Sequence, residues 1–295
     1  MKEKNAIGLL LLTSLIWGLT FVFQSQAAKY IGPFMFNGIR MIMGFLILFP
    51  ICLKSIKKKQ KTDKDYLKNL LIRGLICGIL LSSACVFQQA GLSYTTAGKG
   101  AFITALYILF VPLLGGFTKD KPSKSAWAYA VLGLLGAYMI SVGQESGINK
   151  GDLMVFICAI LFAFQIMAIN YGVKAVSSVD LTAFQMLFGG IICLVSGILF
   201  EDFSFSMVED ALISILYAGI FSCGIAYTLQ AVGQKYVRPE KASLAMCLES
   251  AWAALGSALI LGERMSAREL IGCLLLFAAV ILSTLPKPKA CHSHH

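Results

Sequence analysis

Stretches of about twenty apolar residues, parted by short polar or basic breaks, recur along this whole chain, and that is the length a helix needs to cross a bilayer. In lipid every backbone polar group must find a partner within its own segment, so each stretch is expected to form one spanning helix. The stretches fall at about 6–26, 33–53, 69–90, 97–117 and 125–143, then 152–173, 180–200, 210–230, 240–262 and 267–285. Breaks occur at Gly32-Pro33, Lys57-Lys58-Lys59, Lys121-Pro122, Gly147 to Gly151, Arg238-Pro239 and Gly262-Glu263. Composition agrees: 58% of the 295 residues are hydrophobic and 14% are charged, against about 25% charged in a soluble domain. Mean hydropathy is +0.78. These values exclude a soluble globular domain, a disordered chain and a coiled coil. The expected fold is an all-α integral membrane protein with ten transmembrane helices, divided into halves 1–147 and 148–286 and a cytoplasmic tail 287–295.

A net charge of +10 would suit a nucleic-acid binder, but its placement argues against one. Of the 25 Lys and Arg, 18 fall in segments assigned to the inside, among them Lys57, Lys58, Lys59, Lys119, Lys121, Lys174, Lys235, Arg238, Lys287 and Lys289. The outer segments hold five: Lys29, Lys99, Lys150, Arg264 and Arg268. Arg40 and Arg73 lie within spans. The positive-inside rule then puts both termini in the cytoplasm of a plasma membrane, with the lipid bilayer and a small solute as partners and no nucleic acid. A homodimer is left open. The first apolar run follows a charged Met-Lys-Glu-Lys start but is too long for a signal peptide's core, and reads as a retained helix. Eight of nine cysteines lie inside apolar runs without a CxxC pair, as reduced packing residues. The terminal Cys-His-Ser-His-His is assigned no role.

The halves repeat each other. A shift of 145 residues lays Trp17 on Phe162, Thr20 on Gln165, Lys29 on Lys174, Arg40 on Gln185, Met41 on Met186 and Gly44 on Gly189. A shift of 141 lays Gly78 on Gly219, Gln89-Ala90 on Gln230-Ala231 and Ala101 on Ala242. Five helices per half is an odd number, so the halves are expected to enter the membrane from opposite sides, as in many secondary transporters.

Residues 87–116 (FQQAGLSYTTAGKGAFITALYILFVPLLGG), 227–283 and SLIWGLT at 14–20 resemble the drug/metabolite transporter superfamily, EamA-type. The resemblance covers essentially the whole chain. It implies a small-metabolite carrier, often an exporter, with ten helices around a central cavity, and it does not fix the substrate. Family members often carry proline after the glutamate matched by Glu249. Here Ser250 follows, with Pro112 at the counterpart position of the first half, which questions a kink in the ninth helix.

Polar residues at membrane depth are costly and tend to face a cavity. Glu249, about ten residues into the ninth span, can bind a cationic group or cycle a proton, or else serve as a structural hydrogen-bonding group. Arg40 can grip a carboxylate bidentately, pair with Glu249 as a gate, or snorkel outward. Thr13, Trp17, Thr20 and Gln24 share one helical face. Cys158, Phe162, Gln165 and Ile169 form its counterpart. Gln89 with Ser82 and Cys85, Gln230 with Cys223 and Ala226, Tyr107 with Thr104, and Trp252 with Glu249 and Ala245 complete the expected lining. The substrate-binding set is therefore Trp17, Thr20, Gln24, Arg40, Gln89, Tyr107, Gln165, Gln230, Glu249 and Trp252, with Glu249 the proton-coupling residue. Interhelical hydrogen bonding is the ordinary alternative for any one of them. Gly74 and Gly78 are expected to serve close packing. No GxSxG, HExxH, Walker A or Rossmann pattern occurs, so neither an enzyme nor a cofactor or metal site is expected. The expected activity is alternating-access export or exchange of an amino-acid-like or nucleobase-like metabolite. A multidrug exporter of hydrophobic cations, and a membrane receptor or assembly subunit without transport, are the alternatives.

Overall fold

The computed structural model describes residues 1–118, 121–141, 148–261 and 265–285. The expected breaks at Gly147 and Gly262-Glu263, the tail 287–295, and Lys119, Arg264, Lys287 and Lys289 lie outside these residues. Among the described residues the chain is all-helical. The elements are α1 (Glu3–Ala27), α2 (Pro33–Lys59), α3 (Tyr66–Leu92), α4 (Ala97–Ala105), α5 (Tyr107–Gly115), α6 (Lys124–Ser141), α7 (Lys150–Gly172) and α8 (Ser178–Phe200). There follow α9 (Phe205–Asp210), α10 (Leu212–Tyr217), a π-helical stretch (Ala218–Ala226), α11 (Tyr227–Gln234), α12 (Pro239–Met246), α13 (Glu249–Leu261) and α14 (Ala267–Thr284).

Local chemistry sets several helix ends. Pro33 opens α2 where its missing N–H costs nothing. Asn149 and Asp152 form a reciprocal capping box on α7, as Ser266 and Glu269 do on α14. Glu201, just past α8, accepts from the backbone N–H groups of Phe34 (2.8 Å) and Met35 (2.9 Å), holding the free donors of the α2 N-terminus. Lys57, Lys58 and Lys59 extend α2 past the expected end at 53, since cations favour a helix C-terminus.

Among the described residues, eight segments are long and apolar enough to cross a membrane. Of the ten expected spans, 125–143 and 240–262 are not among them. The first corresponds to α6, whose described part opens on Lys124; the described part of the second is divided into α12 and α13. The burial pattern inverts that of a soluble protein. Ile198, Leu199 and Phe200 face outward at 72%, 68% and 76% exposure, while Arg40, Asn37, Gln89, Gln165 and Gln185 are buried.

Two breaks stand out. The rod 97–115 is interrupted at Leu106, where Leu106 N donates to Ile103 O and Leu109 N to Leu106 O, three residues apart in place of four. The rod 239–261 is interrupted at Cys247 and Leu248, and Ser250 N donates to Cys247 O in the same tight fashion. The 141-residue shift lays Leu106 on Cys247. The rod 239–261 therefore breaks without a proline at the break, and the Ser250 hydroxyl donates to Ala101 O (3.2 Å).

α2 runs along α8, α3 along α7 and α8, α6 along α14, and α1 along α13 and the rod from α10 to α11. Exchanging the halves carries the α2–α8 and α6–α14 pairs onto themselves and the α3–α7 contact onto that of α1 with the α10–α11 rod. Gly74 and Gly78 let α3 approach α8: a Cβ at Gly78 would lie 3.0 Å from Gln185 O. Gly18 does the same for α1 and α13, where a Cβ would lie 2.7 Å from Glu249 O.

Candidate functional site

The two helix breaks deliver their next side chains to one place. Tyr107 follows the first break and Glu249 the second, and both line a buried central cavity of about 30 Å³. α1 contributes Trp17, Thr20, Phe21 and Gln24; α2 contributes Arg40; α3 and α4 contribute Gln88 and Thr104. Phe162 and Ile166 come from α7, Ser222 from the π-helical stretch, and Tyr227 and Gln230 from α11. Both halves of the chain build its wall, and the paired positions Trp17 and Phe162 both face it.

Seven of the ten residues proposed from sequence line this space: Trp17, Thr20, Gln24, Arg40, Tyr107, Gln230 and Glu249. Three stand behind the wall. Gln89 accepts from Gln24 Nε2 (3.2 Å) and donates to Gln24 O (3.0 Å). Gln165 donates to Gln185 Oε1 (3.4 Å) and trades hydrogen bonds with Gln230. Trp252 lies on α13 with its ring edge-on to Phe277 at 5.6 Å.

The span expected at 210–230 departs most from expectation. A regular helix would present Cys223, Ala226 and Gln230 on one face. The i→i+5 winding from Ala218 to Ala226 changes that register, and Ser222 and Tyr227 reach the cavity while Cys223 and Ala226 are buried elsewhere. Tyr227 packs on Trp17, ring centroids 4.8 Å apart, and its hydroxyl meets Cys85 Sγ at 3.6 Å. Gln88 was also missed, being adjacent to the expected Gln89. It bridges Gln24 Nε2 (3.2 Å) and Thr104 Oγ1 (3.2 Å), so an amide chain runs along the wall.

The charged groups are the notable feature. Arg40 is 2% exposed, so it does not snorkel outward; its Nε donates to Asn37 Oδ1 (2.9 Å) and its guanidinium lies 5.3 Å from the Phe36 ring centroid. Among the described residues it forms no ion pair with Glu249. Glu249 is 3% exposed and its Oε1 has no hydrogen-bond partner in the protein. Trp17 Nε1, on the same wall, is likewise without a partner, and the Tyr107 hydroxyl lies beside the Glu249 carboxylate. Buried polar groups are nearly always satisfied, so unsatisfied groups in one cavity mark positions at which a solute or water can complete the hydrogen bonding. Burial of carboxylates is not confined to Glu249. Asp180, at the start of α8, is 0% exposed and its Oδ2 accepts from Ser55 Oγ and Tyr66 Oη, each at 2.6 Å.

Comparison with known proteins gives the chain its relatives. The EamA-like transporter family profile matches residues 4–142 and 149–285. An uncharacterized transporter of Archaeoglobus fulgidus is 29% identical over 277 residues, which is 94% of this chain and 84% of that protein. The uncharacterized transporter YoaV of Bacillus subtilis is 24% identical, over 95% of this chain and 97% of that one. A crystal structure with 17% sequence identity has the same fold, with a TM-score of 0.78 over 96% of this chain and 97% of the other. With profile matches over both halves and transporters among its relatives, this multi-pass membrane protein belongs to the EamA-like transporter family.

Proposed function

We propose that the protein is a secondary active transporter of the plasma membrane that exports or exchanges a small zwitterionic, amino-acid-like metabolite. The observation that carries this reading is that Arg40 and Glu249 line one buried cavity without pairing with each other. A guanidinium offers two parallel donors to a carboxylate. The free oxygen of Glu249, beside the Tyr107 side chain, suits an ammonium group, and the Trp17 and Tyr227 rings favour a cation over their faces. A hydrophobic cation alone would leave Arg40 buried against like charge, which disfavours the multidrug alternative.

Ten membrane helices in two inverted five-helix repeats, 1–147 and 148–286, are the architecture we infer, with both termini cytoplasmic. The equivalent breaks at Leu106 and Cys247 and the exchange of helix contacts between halves support it. Broken helices beside a midplane site are a recurring transporter device, and rocking of the halves would open the cavity to each side in turn. Glu249 is the proton-coupling group in this scheme, taking a proton when no ammonium group is bound. A flux assay in proteoliposomes with radiolabelled amino acids tests the reading. Saturable uptake that is lost in Arg40→Gln supports it. Uptake of quaternary cations with no amino-acid competition overturns it.

A further inference from the structure

A second chamber opens at the end of the bundle where the basic residues collect. It holds about 360 Å³ between the ends of α5, α7 and α11 and the start of α12. Lys174 and Lys235 stand exposed on its rim, and Arg238, bridged to Glu240 at 2.7 Å, completes the basic edge. Its floor is different in character. Gln234 is 1% exposed, lines the chamber, and has an Oε1 without a hydrogen-bond partner. Its Nε2 donates to Ile166 O (3.0 Å). Ile166 lines the central cavity and Met167 lines this chamber. Likewise Gln230 faces the cavity and Gln234, one turn further along α11, faces the chamber. The wall between the two spaces is thus one helical turn thick and is closed by the Gln234–Ile166 hydrogen bond.

We infer that this chamber is a separate, outlying binding site for small zwitterions, in which Lys174 and Lys235 draw in a carboxylate and the free Gln234 oxygen accepts from an ammonium group. An anion such as phosphate would satisfy the lysines and leave the buried acceptor unpaired. A solute carrying both a carboxylate and an N–H donor satisfies both. The pairing of a cation with an unpaired acceptor repeats the chemistry of Arg40 and Glu249 one turn away, so the chamber is placed to load the central cavity once the Gln234–Ile166 bond opens. That loading role rests on the transport reading above; occupancy of the chamber does not.

Site-directed thiol labelling reads that occupancy without requiring flux. Tyr236→Cys, in a Cys291→Ser background, places a thiol at an exposed position on the chamber rim and keeps both lysines, and the other eight cysteines are buried. The probes are ethylsulfonate and ethyltrimethylammonium methanethiosulfonates, each normalised to its rate with a free thiol. At low salt the sulfonate is expected to react about tenfold faster, because a basic cleft concentrates anions, and Lys174→Gln is expected to shrink that preference. A mixture of the proteinogenic amino acids is expected to slow labelling several-fold, whereas ammonium acetate at the same concentration does not. Gln234→Met is expected to keep the sulfonate preference, which reports an intact rim, and to lose the protection. Four results would each overturn the inference: no sulfonate preference, equal protection by ammonium acetate, protection by phosphatidylglycerol in place of amino acids, or protection that survives in Gln234→Met. Protection without flux would instead remove the carrier reading and leave the site standing.

Discussion

Gln165 and Gln230 exchange hydrogen bonds in both directions, Nε2 to Oε1 at 3.5 Å and 3.2 Å, and so join α7 to α11 behind the cavity wall. The first half does the same with Gln24 and Gln89 between α1 and α3. An amide is well suited to this position, since it donates and accepts without bringing a charge into lipid. Gln165→Leu strands the Gln230 amide and the Gln185 oxygen, and should cost about 1–3 kcal/mol of stability. Gln165→Leu with Gln230→Leu should cost less than the sum of the single changes, because paired groups are not additive. Unfolding in mild detergent, followed by helical signal, measures both; strict additivity would argue against a coupled pair.

Glu249→Gln keeps the size and hydrogen-bonding capacity of the side chain and removes its titration. Transport driven by a pH gradient should stop, while counterflow of unlabelled against labelled substrate continues and the protein remains folded. Full gradient-driven flux in that variant would remove Glu249 from the coupling step.

Arg40→Gln converts the first half to the residue at its repeat partner, Gln185. Loss of a charge-assisted pair worth about 1.5–3 kcal/mol should raise the half-saturating concentration for carboxylate-bearing solutes by about ten- to a hundredfold. Arg40→Lys should restore little, since a single ammonium cannot reproduce the planar fork. Amino-acid amides, which lack the carboxylate, should be indifferent to either change. Competition in the flux assay separates these cases.

Gly18 fixes the approach of α1 to the backbone beside Glu249, and a Cβ there would lie 2.9 Å from Ala253 N. Gly18→Val should therefore destabilise by about 1–3 kcal/mol through overpacking, and should lower the melting temperature in detergent. An unchanged melt would mean that the two helices separate freely.

The Tyr66 hydroxyl donates to Asp180 and accepts from Ser177 N (3.0 Å), tying the start of α3 to the start of α8. Tyr66→Phe removes both bonds and leaves a buried carboxylate short of a donor, with an expected cost of about 1–3 kcal/mol. Ser55→Ala, which removes only one donor to the same oxygen, should cost less. The reverse order in a denaturation series would assign the clasp to Ser55.

Helix positions were legible because apolar length and basic punctuation dictate them, and the repeat was legible because Trp17, Arg40 and Gln89 align with Phe162, Gln185 and Gln230. Most of the cavity wall followed from helical faces, as with Trp17, Thr20 and Gln24. What was hidden depends on departures from regular winding. Neither Leu106 nor Cys247 is a helix breaker, so no residue type announces their tight turns. Ser222 and Tyr227 line the cavity in a rod that winds with i→i+5 bonds over 218–226, a departure that no residue there announces. Gln88 and Gln89 are both buried, and a one-residue choice between neighbours on a helix surrounded by protein has no amphipathic signal to settle it.

The π-helical stretch also bears on how such a pocket can change over time. Each i→i+5 turn holds one residue more than an α turn, so its effect on Tyr227 and Gln230 is one of chain length. No substitution within 218–226 re-aims those side chains as deletion of a single residue would, since loss of one residue turns everything downstream by about a quarter of a turn. The aim of this part of the wall thus changes in a discrete step with gain or loss of one residue, while the α1 side, regular throughout, changes only by side-chain exchange.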